Sequence, residues 1–210
     1  LPDVTRNMLE TEDVIAHYPY PIAGAFAGFH RRFTELNNQG KEGDEELLKS
    51  LFHLYTECLF FLTGLVLANY RVFNFPKPIA FPYPNVEKSI AALFSALGAI
   101  RAIKAQPLAV NLLETLYIHK DNLEKIATLR KKYQAGEVRD TDFETYTITV
   151  QYLMESLLID LDFLRHYGFY LIVEPGHRQL SFHGVEQYHT HRDILLPTQA
   201  NAVTYTELLE

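Results

Sequence analysis

Five of the nine histidines fall between positions 166 and 191: His166, His177, His183, His189 and His191. One residue separates His189 from His191, so on an extended strand both rings project to the same side, a geometry suited to metal ligation. His183 completes a candidate set, with His177 or Glu186 as substitutes. No paired cysteine and no His-Glu-x-x-His motif accompanies them. The alternative reading is a solvated, turn-rich segment, and no cofactor is expected.

A second cluster is basic. Lys120, Lys125, Arg130, Lys131, Lys132 and Arg139 face only Asp121, Glu124 and Glu137 over 120–139. Cations at the end of a helix complement the negative end of its dipole, which is the structural reading of Arg130, Lys131 and Lys132. The functional reading is contact with a phosphate backbone.

The carboxylates offer less. Asp160 and Asp162 flank Leu161, so on one helix they point about 200° apart and cannot act together. Glu57 lies in an apolar stretch with His53 one turn earlier, which predicts a buried acid paired with a histidine. Cys58 is the one cysteine; it reads as a small buried hydrophobe, and a chain that cannot form an internal disulfide fits a reducing, cytoplasmic setting. No serine sits in a nucleophile-elbow pattern. Gly24-Ala-Phe-Ala-Gly28 lacks the Lys-Ser/Thr of a phosphate loop and reads as small-residue helix packing.

These residues are carried on a mainly helical chain. Ile22, Phe26, Phe29 and Phe33 recur at helical spacing, which predicts a first helix starting after Pro21 and ending at 37–40. Thr11-Glu-Asp-Val opens a short helix before it. A second helix over 44–71, capped by Asp44, becomes apolar on nearly all sides from Cys58 onward, the pattern of a central core helix. The run 58–68 is too short to span a bilayer, and no membrane partner is expected. Prolines 76, 78, 82 and 84 forbid regular helix over 73–84, leaving an aromatic connector that packs on the bundle. A third helix is expected over 86–104, a fourth over 107–132, and a fifth starting after Thr141 or Asp142 and running to a glycine cap at Gly168.

From Phe169 the pattern changes to short β-type runs: 169–174, 178–182, 192–196 and 202–205, with Pro175-Gly176 as a turn. The expected fold is therefore a bundle of about five helices over 1–168 with a small C-terminal antiparallel β appendage over 169–210, an α+β chain. The 210 residues, with 14 Phe and 13 Tyr, suffice for a packed core. A net charge of −7 disfavours nucleic acid as the default partner. The ends, Leu1-Pro-Asp and Thr206-Glu-Leu-Leu-Glu210, read as cut from a longer protein.

A helix pair joined at an Arg-containing turn, then a long helix and an apolar exit strand, resembles the HEPN superfamily of bacterial helical domains over roughly 86–174. It is also similar to helical accessory domains of bacterial signalling and phage-defence proteins. HEPN ribonucleases carry an Arg, then four to six residues, then a His. Arg130 matches the Arg, but Ala135, Gly136 and Glu137 stand where the His belongs, so the resemblance implies a non-nucleolytic member. Arg178 and His183 satisfy the spacing, but in the β-type tail, away from any helical geometry. The function expected is a non-catalytic interaction or sensor module that binds a protein partner or neighbouring domains of its own chain. An HEPN-like ribonuclease or RNA-binding domain is one alternative, and a metal- or small-ligand-binding domain is another. A homodimer is left open.

Overall fold

The computed structural model describes residues 10–39, 45–103, 110–166, 170–174, 178–181, 184–185 and 191–192. Within them the chain is mainly helical. The order is α1 (Thr11–His17), α2 (Tyr20–Asn38), α3 (Glu45–Val72), α4 (Val86–Ala102), α5 (Val110–Ile118), α6 (Lys120–Gln134) and α7 (Phe143–Asp160). Short 3-10 turns span Asp140–Asp142 and Asp162–His166. Three strands follow: β1 (Tyr170–Glu174), β2 (Arg178–Ser181) and β3 (His191–Arg192). Their backbones pair antiparallel in that order, Tyr170 opposite Ser181 and Leu180 opposite His191. The expected Asp44 cap, the Gly168 cap, the Pro175-Gly176 turn and the strand at 202–205 lie outside the described residues.

The bundle is organised around α3, which packs against α2, α4, α6 and α7. Leu48, Leu51, Leu54, Tyr55, Leu59 and Leu62 are buried, as the all-round apolar pattern demands. By length and composition α3 could cross a membrane, yet 83% of its most apolar window is buried inside the bundle. Its buried polar side chains bond within the helix: Thr63 Oγ1 donates to the Leu59 carbonyl at 2.7 Å, and Asn69 Nδ2 to that of Leu65 at 2.9 Å. Two tyrosines tie neighbouring elements together. The Tyr18 hydroxyl donates to the Leu158 carbonyl at 2.7 Å, and that of Tyr55 to Leu123 at 2.9 Å.

Three expected boundaries are corrected. The second helix, α2, starts at Tyr20 and takes Pro21 into its first turn, where a missing N–H is harmless because it would have had no intrahelical partner. The single helix expected over 107–132 is two, α5 and α6, meeting at His119. Backbone bonds run through the break, from His119 N–H to Thr115 and from Leu123 N–H to His119. The long final helix stops at Asp160 and tightens into a 3-10 turn, which keeps both Leu161 and Leu164 in the core. With this split and the short α1, the expected five helices become seven among the described residues.

The connector behaves as its composition predicts. Phe73, Phe75, Ile79 and Phe81 pack on the core, Phe75 stacks on Tyr70 at 4.3 Å, and Phe60 meets the rings of Phe81 and Tyr83. Asn85 then caps α4, its side chain accepting from the Lys88 amide at 2.8 Å.

Candidate functional site: a groove between two helices

Arg130 projects from the last turns of α6 toward α3. Around it lie Lys49, Phe52, His53 and Thr56 of α3, with Tyr133 and Gln134 from its own helix, lining an open groove of about 280 Å³. The two elements are held in place from below by the Phe52 and Tyr133 rings, 5.6 Å apart, and by Tyr133 against Phe143 at the start of α7. The Tyr133 hydroxyl donates to Glu45 Oε1 at 2.7 Å, closing the N-terminal end of α3 onto α6. Burial first, then this carboxylate, raise the Tyr133 hydroxyl above its ordinary value.

The cations of the groove are not equivalent. Lys49 Nζ lies 2.6 Å from Glu46 and 3.3 Å from Glu45, and bonds to Glu46 and then Glu45 hold its ammonium above the usual lysine range. Arg130 Nη1 donates to Gln134 Oε1 at 3.2 Å, a neutral acceptor, and among the described residues no carboxylate pairs with it. Lys131 and Lys132 are exposed on the last turn of α6. Gly136, at φ 71°, ends that helix: its N–H bonds to Tyr133 and that of Glu137 to Lys132, the two bonds of a Schellman cap. The cations thus occupy the negative end of the α6 dipole, as the structural reading requires, while Arg130 alone of the three turns into the groove.

His53 and Glu57 are one turn apart with Nδ1 to Oε1 at 3.8 Å, but the buried pair expected there is not found. Their side chains are 64% and 36% exposed, because both lie on the solvent edge of α3 while Leu54, Tyr55 and Cys58 point inward. Cys58 is fully buried, and burial pushes its thiol up to about 12. Asp160 and Asp162 have separate partners, His119 for the first and Arg165, at 3.1 Å, for the second.

Of the tail histidines, His177, His183 and His189 lie outside the described residues, as does Glu186, and His191 is described only as backbone in β3. Among the described residues no three His, Cys, Asp or Glu side chains converge in a metal-binding group. One segment of the tail is fixed. Gly184 N–H donates to the Tyr18 carbonyl at 2.8 Å and Val185 N–H to that of Ile15 at 3.1 Å, seating these two residues on α1.

Sequence reasoning missed a buried histidine at the junction of α5 and α6. His119, 2% exposed, faces Asp160 Oδ2 with Nε2 at 2.6 Å and Asn122 Nδ2 with Nδ1 at 3.1 Å. Both ring nitrogens have hydrogen-bond partners, and the contact to Asp160 ties the α5–α6 junction to α7. A signal was present: Leu112, Leu116, His119, Leu123 and Ile126 follow a four-three-four-three rhythm, which places the histidine on the apolar stripe.

No protein-family model, no curated protein and no solved structure matches the chain.

Proposed function

We propose that this chain is a non-catalytic interaction or sensor module of a larger bacterial protein, working in the cytoplasm and binding a protein partner or neighbouring domains of its own chain. The observation that carries the reading is on α7. Ile148 and Tyr152, one turn apart, are 60% and 55% exposed, while Val150, Met154 and Leu157 of the same helix are core. Large apolar and aromatic side chains held outward on a rigid helix supply the anchors of protein interfaces. Tyr83, exposed at the end of the aromatic connector, offers a second apolar contact. The reading includes a C-terminal antiparallel β appendage over 169–210, whose edge is a further contact surface.

The test is capture by the immobilised chain, compared with a variant carrying Ile148→Asp and Tyr152→Asp. Both side chains are exposed, so the variant should keep its stability to within roughly 0.5 kcal/mol per site. Loss of a bound protein from the variant supports the reading, and undiminished capture removes α7 from it.

A degenerate HEPN-like RNA-binding domain is the second reading. It is favoured by Arg130, which has no carboxylate partner among the described residues, at the end of α6 beside the exposed Lys131 and Lys132. Single-stranded RNA that is neither bound nor cleaved by the purified chain would remove it.

A further inference from the structure

We propose that the groove between α3 and α6 binds a small aromatic carboxylic acid, with Arg130 taking the carboxylate and the Tyr133 ring lying against the flat body. This goes beyond the interaction reading, which rests on a different face of the bundle.

No carboxylate lines the groove among the described residues, whereas Lys49, His53 and Arg130 do. The Lys49 ammonium already faces two carboxylates, Glu45 and Glu46. Arg130 is the guanidinium of the groove with no carboxylate partner among the described residues, and its single charge suits a monoanion. A phosphate dianion would bring a second negative charge close to Glu45 and Glu46, where like charges repel. Geometry points the same way. A guanidinium presents five N–H donors in a planar fork that matches a carboxylate with two parallel hydrogen bonds, and Gln134 engages only Nη1.

The walls select the rest of the ligand. Phe52 is buried and packs on Tyr133 at 5.6 Å, so the half-buried Tyr133 ring is the aromatic face beside the charged end. The volume of about 280 Å³ falls just below that of drug-sized sites, roughly 300–1,000 Å³, so the ligand is small. The Thr56 hydroxyl, which donates to the Phe52 carbonyl at 2.7 Å, keeps lone pairs able to accept from a ring hydroxyl or amine.

The experiment is calorimetric or NMR titration of the full chain with benzoate, phenol and phenyl phosphate. Benzoate should bind saturably with a dissociation constant on the order of 1 mM, given its few heavy atoms. Phenol and phenyl phosphate should each bind more weakly. Arg130→Gln should weaken benzoate by about tenfold or more with an unchanged melting temperature. Arg130→Lys, which keeps the charge and loses the fork, should also weaken it. The proposal is overturned if benzoate does not saturate, if Arg130→Gln or Arg130→Lys binds it as well as the parent, or if phenol or phenyl phosphate binds more tightly.

Discussion

His119 Nε2 lies 2.6 Å from Asp160 Oδ2, and this one contact joins the break between α5 and α6 to the last residue of α7. Thr115 Oγ1 reaches the Asp160 backbone carbonyl at 3.4 Å, so the same junction is fastened twice. The histidine is buried and the aspartate half exposed, which lets the carboxylate keep part of its hydration while it orders the ring.

The two residues should therefore be energetically coupled. Asp160→Ala should lower unfolding stability by about 1–2 kcal/mol, the range for a charge-assisted hydrogen bond reduced by solvent screening. His119→Ala should cost more, about 2–4 kcal/mol, because it also leaves a cavity. A double-mutant cycle by chemical denaturation should give a coupling above about 0.5 kcal/mol. Additive effects would show that the contact contributes nothing.

Gly184 should be the point at which the tail can be released from the bundle. Its φ is 60°, its backbone is hydrogen-bonded to Tyr18, and an added Cβ would run into the Ala16 carbonyl. Gly184→Ala combines strain of order 1–3 kcal/mol with that clash. Amide exchange at positions 184 and 185 should quicken while that of α3 stays unchanged. Exchange unaltered at all of these positions would show that the segment tolerates the side chain.

Alkaline pH should destabilise the fold. The Cys58 thiol is raised by burial from 9.0 to about 12. Burial likewise raises the hydroxyls of Tyr18 and Tyr55 above their ordinary 10.0. Each group holds its proton more tightly when folded, so the unfolded chain binds fewer protons once pH exceeds the ordinary value. The stabilisation is complete below pH 9.0 and is lost as pH rises toward about 12. Denaturation midpoints measured from pH 7 to 11 should fall above about pH 9, and a flat profile would contradict these environments.

Cys58 should also be silent to thiol reagents in the native state, since burial suppresses the reactive thiolate. Alkylation at pH 8 should proceed only as fast as the protein opens and should accelerate with denaturant. Rapid native labelling would place the side chain at the surface.

The helices were readable because their apolar spacing repeats locally: Leu48, Leu51, Tyr55, Leu59 and Leu62 announce α3 without help from any other element. What escaped depends on residues distant in sequence. The break at His119 is sealed by Asp160, 41 positions later, and α5 and α6 separately satisfy helical periodicity. The groove exists because α3 and α6 meet, through Tyr133 and Glu45, 88 positions apart. His53 and Glu57 illustrate a different failure: neighbouring apolar letters suggested burial, but the phase of the helix turned both toward solvent.

The most direct measurement is capture with the chain as bait beside a variant carrying Arg130→Ala, Lys131→Ala and Lys132→Ala, with protein and nucleic acid both analysed. The account predicts a protein partner held equally by both forms, leaving Lys131 and Lys132 as helix capping. Recovered RNA or DNA that disappears with the variant would contradict the interaction module and establish the nucleic-acid reading in its place.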